Sequence, residues 1–168
     1  MPPGMRLVTQ RLVLRPPEPG DLDALHAILR DPRATRYWST PPHAAIERTR
    51  EWLDTTLATR PHEGEDFIVE LDGLAVGKVG LYRFPEIGFI FHPDVWGQGI
   101  ASEALAPVLE RAFAVHGLAQ VTADVDPRNA ASLALLNRHG FRETHRAART
   151  WLIGEEWCDS VYLALARP

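Results

Sequence analysis

The stretch that most limits what this chain can become is FIFHPDVWGQGIASEAL, residues 89–105. An apolar run ends there, two glycines follow in Gly-Gln-Gly spacing, and a helical pattern begins at once. Gly97, Gly99 and the small Ala101 leave the main chain unshielded where a strand turns into a helix. Two readings stand open: a tight turn that needs glycine, and a cradle of backbone amides holding a phosphate at the positive end of the helix dipole. For an isolated Gly-x-Gly the turn is the commoner case; the strand leading in and the helix leading out favour the cradle. No Gly-Lys-Ser/Thr follows, so this is not the nucleoside-triphosphate loop. The third glycine and the acidic ribose residue of a dinucleotide site are missing too.

Around this junction the pattern alternates between strand and helix. RLVLRPP (residues 11–17) reads as a first strand stopped by two prolines. GDLDALHAILRDP predicts a short amphipathic helix capped by Asp21, and STPPHAAIERTREWLDTTL predicts a second, capped by Thr40 with Pro41 in its first turn. DFIVELDGLAVGKVGLYRF is two strands joined at Asp72-Gly73, and EIGFIF is a third strand. Then come the helix ASEALAPVLERAFAVHG, the strand LAQVTADVD, the helix NAASLALLNRHG ended by Gly140, and two closing strands around residues 151–153 and 157–165. Pro107, beyond the first turn of its helix, removes a hydrogen bond to the Glu103 carbonyl and predicts a kink. Alternation of this kind specifies an α/β chain with helices packed on the faces of a sheet. No repeat, linker or low-complexity tract divides the 168 residues, which suffice to bury about 70% of their unfolded surface. One domain over residues 1–168 is expected, with 1–6 a loose N-terminal extension.

Charge and cysteine content narrow the function. A net charge of -4 argues against nucleic acid as a partner and fits a cationic amine better. Cys158 is the one cysteine, so neither an internal disulfide nor a thiolate metal cluster can form. The seven histidines are scattered without ligand spacing, and no metal is expected. His92, beside Pro93, reads as a turn residue. MPPGMRLVTQ lacks the apolar core of a signal peptide, and no run approaches the ~18 apolar residues of a membrane span. A cytoplasmic protein without a membrane partner is the expectation.

WGQGIA resembles the acetyl-CoA loop of the GNAT superfamily of N-acetyltransferases, Gln/Arg-x-x-Gly-x-Gly/Ala, with Trp96 at the Gln/Arg position. That tryptophan is similar to the branch of ribosomal-protein (Rim-type) N-terminal acetyltransferases, where Trp-Gly-x-Gly-x-Ala is common. The likeness extends in order through TQRLVLRPPEPGDLDAL, EIGFIFHPDVWGQGIASEAL, NAASLALLNRHGFRE and GEEWCDSVYLAL. It implies a mixed, twisted sheet with helices on both faces, splayed between EIGFIF and LAQVTADVD, with a bulge just before the loop. It implies acetyl-CoA as co-substrate, the pyrophosphate lying on Gly97, Gln98, Gly99, Ile100, Ala101 and Ser102. By the same resemblance, the Phe89 amide polarises the thioester carbonyl and the Phe91 backbone pairs with the pantetheine arm. An amide donor so placed is typically worth about 3 kcal/mol of barrier.

The remaining candidates each have two readings. Glu86 opens its strand either as a solvated glutamate or as the group that takes the proton of the incoming ammonium. Asn129 is an N-cap by position, and the resemblance adds contact with the CoA arm. Ser132 is a first-turn serine, or the hydroxyl that protonates the departing thiolate; many GNAT enzymes use a tyrosine further along this helix, where this chain has Leu136. Tyr37, Trp38 and Trp151 are candidate walls of an acceptor pocket, or core aromatics. The resemblance implies acetyl transfer to a primary amine, a protein N-terminus or a small molecule, by direct attack in a monomer or homodimer. The alternative is an acyl-CoA-binding or regulatory module that does not turn over.

Overall fold

The computed structural model describes residues 4–168; the first three, part of the expected extension, lie outside the described residues. The strands are β1 (Leu7–Val8), β2 (Leu12–Arg15), β3 (Glu65–Leu71), β4 (Leu74–Arg83), β5 (Glu86–Phe91), β6 (Gln120–Val125), β7 (Arg142–Ile153) and β8 (Glu156–Ala166). The helices are α1 (Leu22–Leu29), α2 (Ile46–Leu57), α3 (Ile100–Ala114) and α4 (Ala130–Arg138). One sheet contains all eight strands in the order β1-β2-β3-β4-β5-β6-β8-β7. Every pairing is antiparallel except β5 with β6.

Period-two alternation in the strands decides which helix goes where. Phe67, Val69, Val79, Leu81, Ile87 and Phe91 point to one face, where Ile100, Ala104, Leu105 and Val108 of α3 and Leu135 and Leu136 of α4 cover them in the main core. Ile68 and Ile90 point to the other face, under Leu25, Ile28 and Leu29 of α1 and Leu53 of α2. The chain is an α/β domain with an open mixed sheet and helices on both faces, as the resemblance implied.

Several local expectations are corrected. α2 begins at Ile46 and not behind Thr40: Pro41 and Pro42 disfavour helix in Thr40 and Pro41, and tertiary contacts of His43 delay the start further. His43 is then drawn inward: its amide donates to Leu29 O at 2.9 Å and its ring meets the buried Thr49 hydroxyl at 2.8 Å. Asp21 does precede α1, but its carboxylate receives Arg15 (2.6 Å) and the Glu18 amide (2.8 Å) and makes no cap bond to α1. β7 starts at Arg142, well before Trp151, because pairing with β8 extends a strand that lacks apolar alternation. The bulge lies at the far end of β5 from the loop: the register slips between Gly80 and Arg83 of β4, opposite the start of β5.

Candidate active site

β5 and β6 share a single register pair, Glu86 with Thr122, where the Thr122 amide donates to Pro85 O at 3.0 Å. Beyond it the two strands separate and the sheet opens into a V. What lines the V follows from β5's other neighbour. The His92 amide donates to Val76 O at 2.8 Å, which makes those two a hydrogen-bonded pair across the extension of the β4–β5 ladder. Counting back, Gly77 with Phe91 and Val79 with Phe89 are the alternate, non-bonded pairs. The N–H and C=O groups of Phe89 and Phe91 therefore point away from β4 and into the opening. Their rings belong to or pack against the core.

Trp96 explains its place in the motif through its indole, which donates to the Phe91 carbonyl at 3.0 Å and fastens the loop to the end of β5. Gly97 (φ +72°) and Gly99 (φ +76°) then turn the chain through left-handed conformations that side chains disfavour, and α3 starts directly behind them. Gly99 occupies the N-cap and offers no side-chain acceptor, so the first-turn amides of α3 keep their donors for a ligand. The Ser102 hydroxyl pairs with His139 Nε2 at 2.8 Å, tying the first turn of α3 to the end of α4. Burial, with Arg138 adding to it, pushes the His139 imidazole down, which keeps this bond uncharged near neutrality.

A cleft of about 960 Å³ fills the V. Phe89, Phe91, Gly97, Gly99, Ile100, Ala101, Ser102, Asn129 and Ser132 are on its wall, with Tyr37 and Trp38 on the opposite bank. Asn129 caps α4 through its side-chain oxygen, which accepts from the Ser132 amide at 3.2 Å. Leu136, where the resemblance leads one to expect a tyrosine, is fully buried and has no proton to give. The two banks meet where the Arg128 guanidinium lies 5.6 Å from the centre of the Tyr37 ring, within cation–π range. Arg128 is itself held by Asp126 (2.7 Å) and Glu156 (2.6 Å).

Three expected residues are not on that wall. Gln98 turns outward, its side-chain amide donating to Asp94 O at 2.9 Å. Glu86 sits at the closed end of the V, bound by the Tyr82 hydroxyl at 2.5 Å and Arg83 at 3.0 Å, and lines a neighbouring hollow of about 230 Å³. Burial and then the Glu86 carboxylate push the Tyr82 phenol up, so it stays a donor. Trp151 reaches the site indirectly, its indole donating to Asp124 Oδ2 at 3.0 Å. Asp124 is the residue that sequence reading passed over: it lines both the cleft and the hollow. Glu86 and Asp126 have arginine partners, whereas Asp124 has no ion pair among the described residues. Its only signal in TADVD was a carboxylate on the polar side of an alternating strand, where solvated side chains are the rule.

Residues 11–142 match the acetyltransferase (GNAT) domain family. The chain belongs to the GNAT family. It is 29% identical over 147 residues, 82% of each chain, to the uncharacterized N-acetyltransferase p20 of Bacillus licheniformis. It is 24% identical over 158 residues to spermidine N(1)-acetyltransferase of Escherichia coli, covering 90% of this chain and 84% of that one. Among solved structures, RimJ of Mycobacterium smegmatis in complex with CoA-disulfide superposes with a TM-score of 0.82 at 25% identity, over 92% of this chain and 81% of that one. This GNAT protein is thus an acetyl-CoA-dependent N-acetyltransferase. No helix among its described residues is long and apolar enough to cross a membrane.

Proposed function

We propose that this GNAT protein transfers acetyl from acetyl-CoA to a primary amine by direct attack, with the amine meeting the thioester between Phe89 and Asp124. The observation that carries this is the V between β5 and β6, where backbone groups of Phe89 and the Phe91 N–H, turned away from β4, face the loop amides on one side and a carboxylate free of cations on the other. Acetyl-CoA supplies the activated acyl group. The amides at residues 97–102 hold its pyrophosphate, and the Phe89 N–H donates to the thioester oxygen as negative charge develops there. An amine attacks only when neutral, and Asp124 takes the ammonium's proton, directly or through water. As the carbon–sulfur bond breaks, the thiolate takes a proton from Ser132 or from solvent. Glu86, already engaged by Tyr82 and Arg83, shapes the acceptor side from the adjoining hollow.

The acceptor is a protein N-terminus or a small-molecule amine. A relative named as a spermidine acetyltransferase supports the small-molecule amine, and the resemblance of the Trp96 loop to the Rim-type branch supports the protein N-terminus. Purified protein is incubated with acetyl-CoA and a panel of N-terminal peptides and polyamines, following free thiol release and acetylated product by mass spectrometry. Amine-dependent release of CoA with matching product is expected. CoA binding without turnover on any amine would establish the non-catalytic module instead, and absence of CoA binding would overturn the reading altogether.

A further inference from the structure

The segment TQRL near the N-terminus has no part in the chemistry above, yet it reaches the loop from behind. The Arg11 guanidinium donates through Nη1 to the Gln98 carbonyl at 2.8 Å and through Nε to Glu103 Oε2 at 2.6 Å. The Arg11 backbone amide and the Thr9 hydroxyl donate to the other oxygen of Glu103, at 2.8 and 2.6 Å. These bonds join residues about ninety positions apart in sequence: three end on the Glu103 carboxylate, and the fourth holds the Gln98–Gly99 peptide.

Two consequences follow from elementary geometry. In a trans peptide the C=O and the following N–H point in opposite directions. With the Gln98 carbonyl held toward Arg11, the Gly99 N–H is turned away from Arg11. Gly99 lines the cleft and Gln98 does not. The second consequence is electrostatic. Glu103 stands in the first turn of α3, where its charge opposes an anion at the same helix end. Burial favours its neutral form, but the Thr9 hydroxyl and the Arg11 amide and guanidinium outweigh that and hold the carboxyl below its ordinary range. Glu103 is therefore ionised at neutral pH, and the Arg11 cation compensates it.

We infer that Arg11 is a positioning residue for the pyrophosphate: it sets the Gln98–Gly99 peptide so that its amide donor faces the cleft, and it cancels the Glu103 charge beside the bound anion. It does so without touching the ligand. The inference rests on the CoA reading of the cleft.

The test measures calorimetric Kd values for CoA and for pantetheine, which lacks the pyrophosphate, in the wild type, Arg11→Ala and Arg11→Lys. Arg11→Ala is expected to weaken CoA about tenfold or more and to leave pantetheine within about twofold. Arg11→Lys is expected to fall between, about threefold weaker for CoA, because one ammonium lacks the planar fork that serves a carboxylate and a carbonyl together. CoA affinity unchanged in Arg11→Ala overturns the inference, as does an equal loss for both ligands. Should Arg11→Ala fail to fold, Arg11→Lys decides alone, and wild-type CoA affinity in it refutes the orienting role. If wild-type protein does not bind CoA, the proposed function fails first, and the two failures are thereby distinguished.

Discussion

Replacing Gly99 by alanine tests whether the loop's left-handed geometry serves the ligand or only the turn. Gly99 has φ +76°, and Gly73, in the β3–β4 turn, has φ +78°. A side chain in that conformation costs roughly 1–2 kcal/mol at either position. At Gly73 the added Cβ meets nothing within 4 Å, while at Gly99 it comes within 3.4 Å of Arg11 Nη2, the movable end of a long side chain. Strain is thus matched at the two sites and steric conflict is small at both. If the Gly99 variant relieves its strain by rotating the peptide, the cleft loses a donor to a phosphate, and a hydrogen bond to a charged group is worth about 1.5–3 kcal/mol. That corresponds to a rise in Kd of roughly tenfold to a hundredfold. Thermal melts are expected to show similar losses for Gly99→Ala and Gly73→Ala, about 2–4 °C per kcal/mol in a chain of this length. Calorimetry is expected to show weaker CoA binding in Gly99→Ala alone. A folded Gly99→Ala variant with wild-type CoA affinity would refute the cradle, and an equal affinity loss in Gly73→Ala would show that the effect is global.

Three further outcomes are expected. Asp124→Asn lowers turnover by about 10²-fold or more, while Glu86→Gln lowers it less than about tenfold; the reverse order in steady-state kinetics returns the role of base to Glu86. Ser132→Ala lowers turnover about tenfold, whereas Asn129→Ala acts mainly on acetyl-CoA affinity through the lost cap of α4; full turnover in Ser132→Ala at saturating cofactor removes the serine from the chemistry. The buried His43, which shares the Thr49 hydroxyl with His26 at 2.8 Å each, has its pKa lowered by burial and then by Arg48 and His26. Below about pH 6.5 the unfolded chain then binds a proton that the folded chain resists, so this contribution to stability is complete above pH 6.5 and is lost as pH falls. Urea midpoints measured from pH 7.5 to 5 should decline in the wild type and less steeply in His43→Gln, and parallel curves would contradict the assignment.

What the sequence determined by itself was local. Strand and helix periods, the Asp72-Gly73 turn, the Asn129 cap and the Gly-Gln-Gly loop depend on residues a few positions apart, and the same few residues satisfy them in the fold. The Trp96 loop also carried the family, because a backbone cradle needs glycine whatever surrounds it. Contacts between distant segments were decided elsewhere. The start of α2 depends on His43 finding Leu29 and Thr49, and the length of β7 depends on β8. Asp124 and Glu86 were indistinguishable as carboxylates on polar strand faces, and only the splay put the first on the cleft and the second at its closed end. Arg11 gave no sign of its contact with Gln98, 87 residues away. A side chain's partner across such a separation depends on how the sheet closes, and a periodic pattern records which face a residue takes but not which residue waits there.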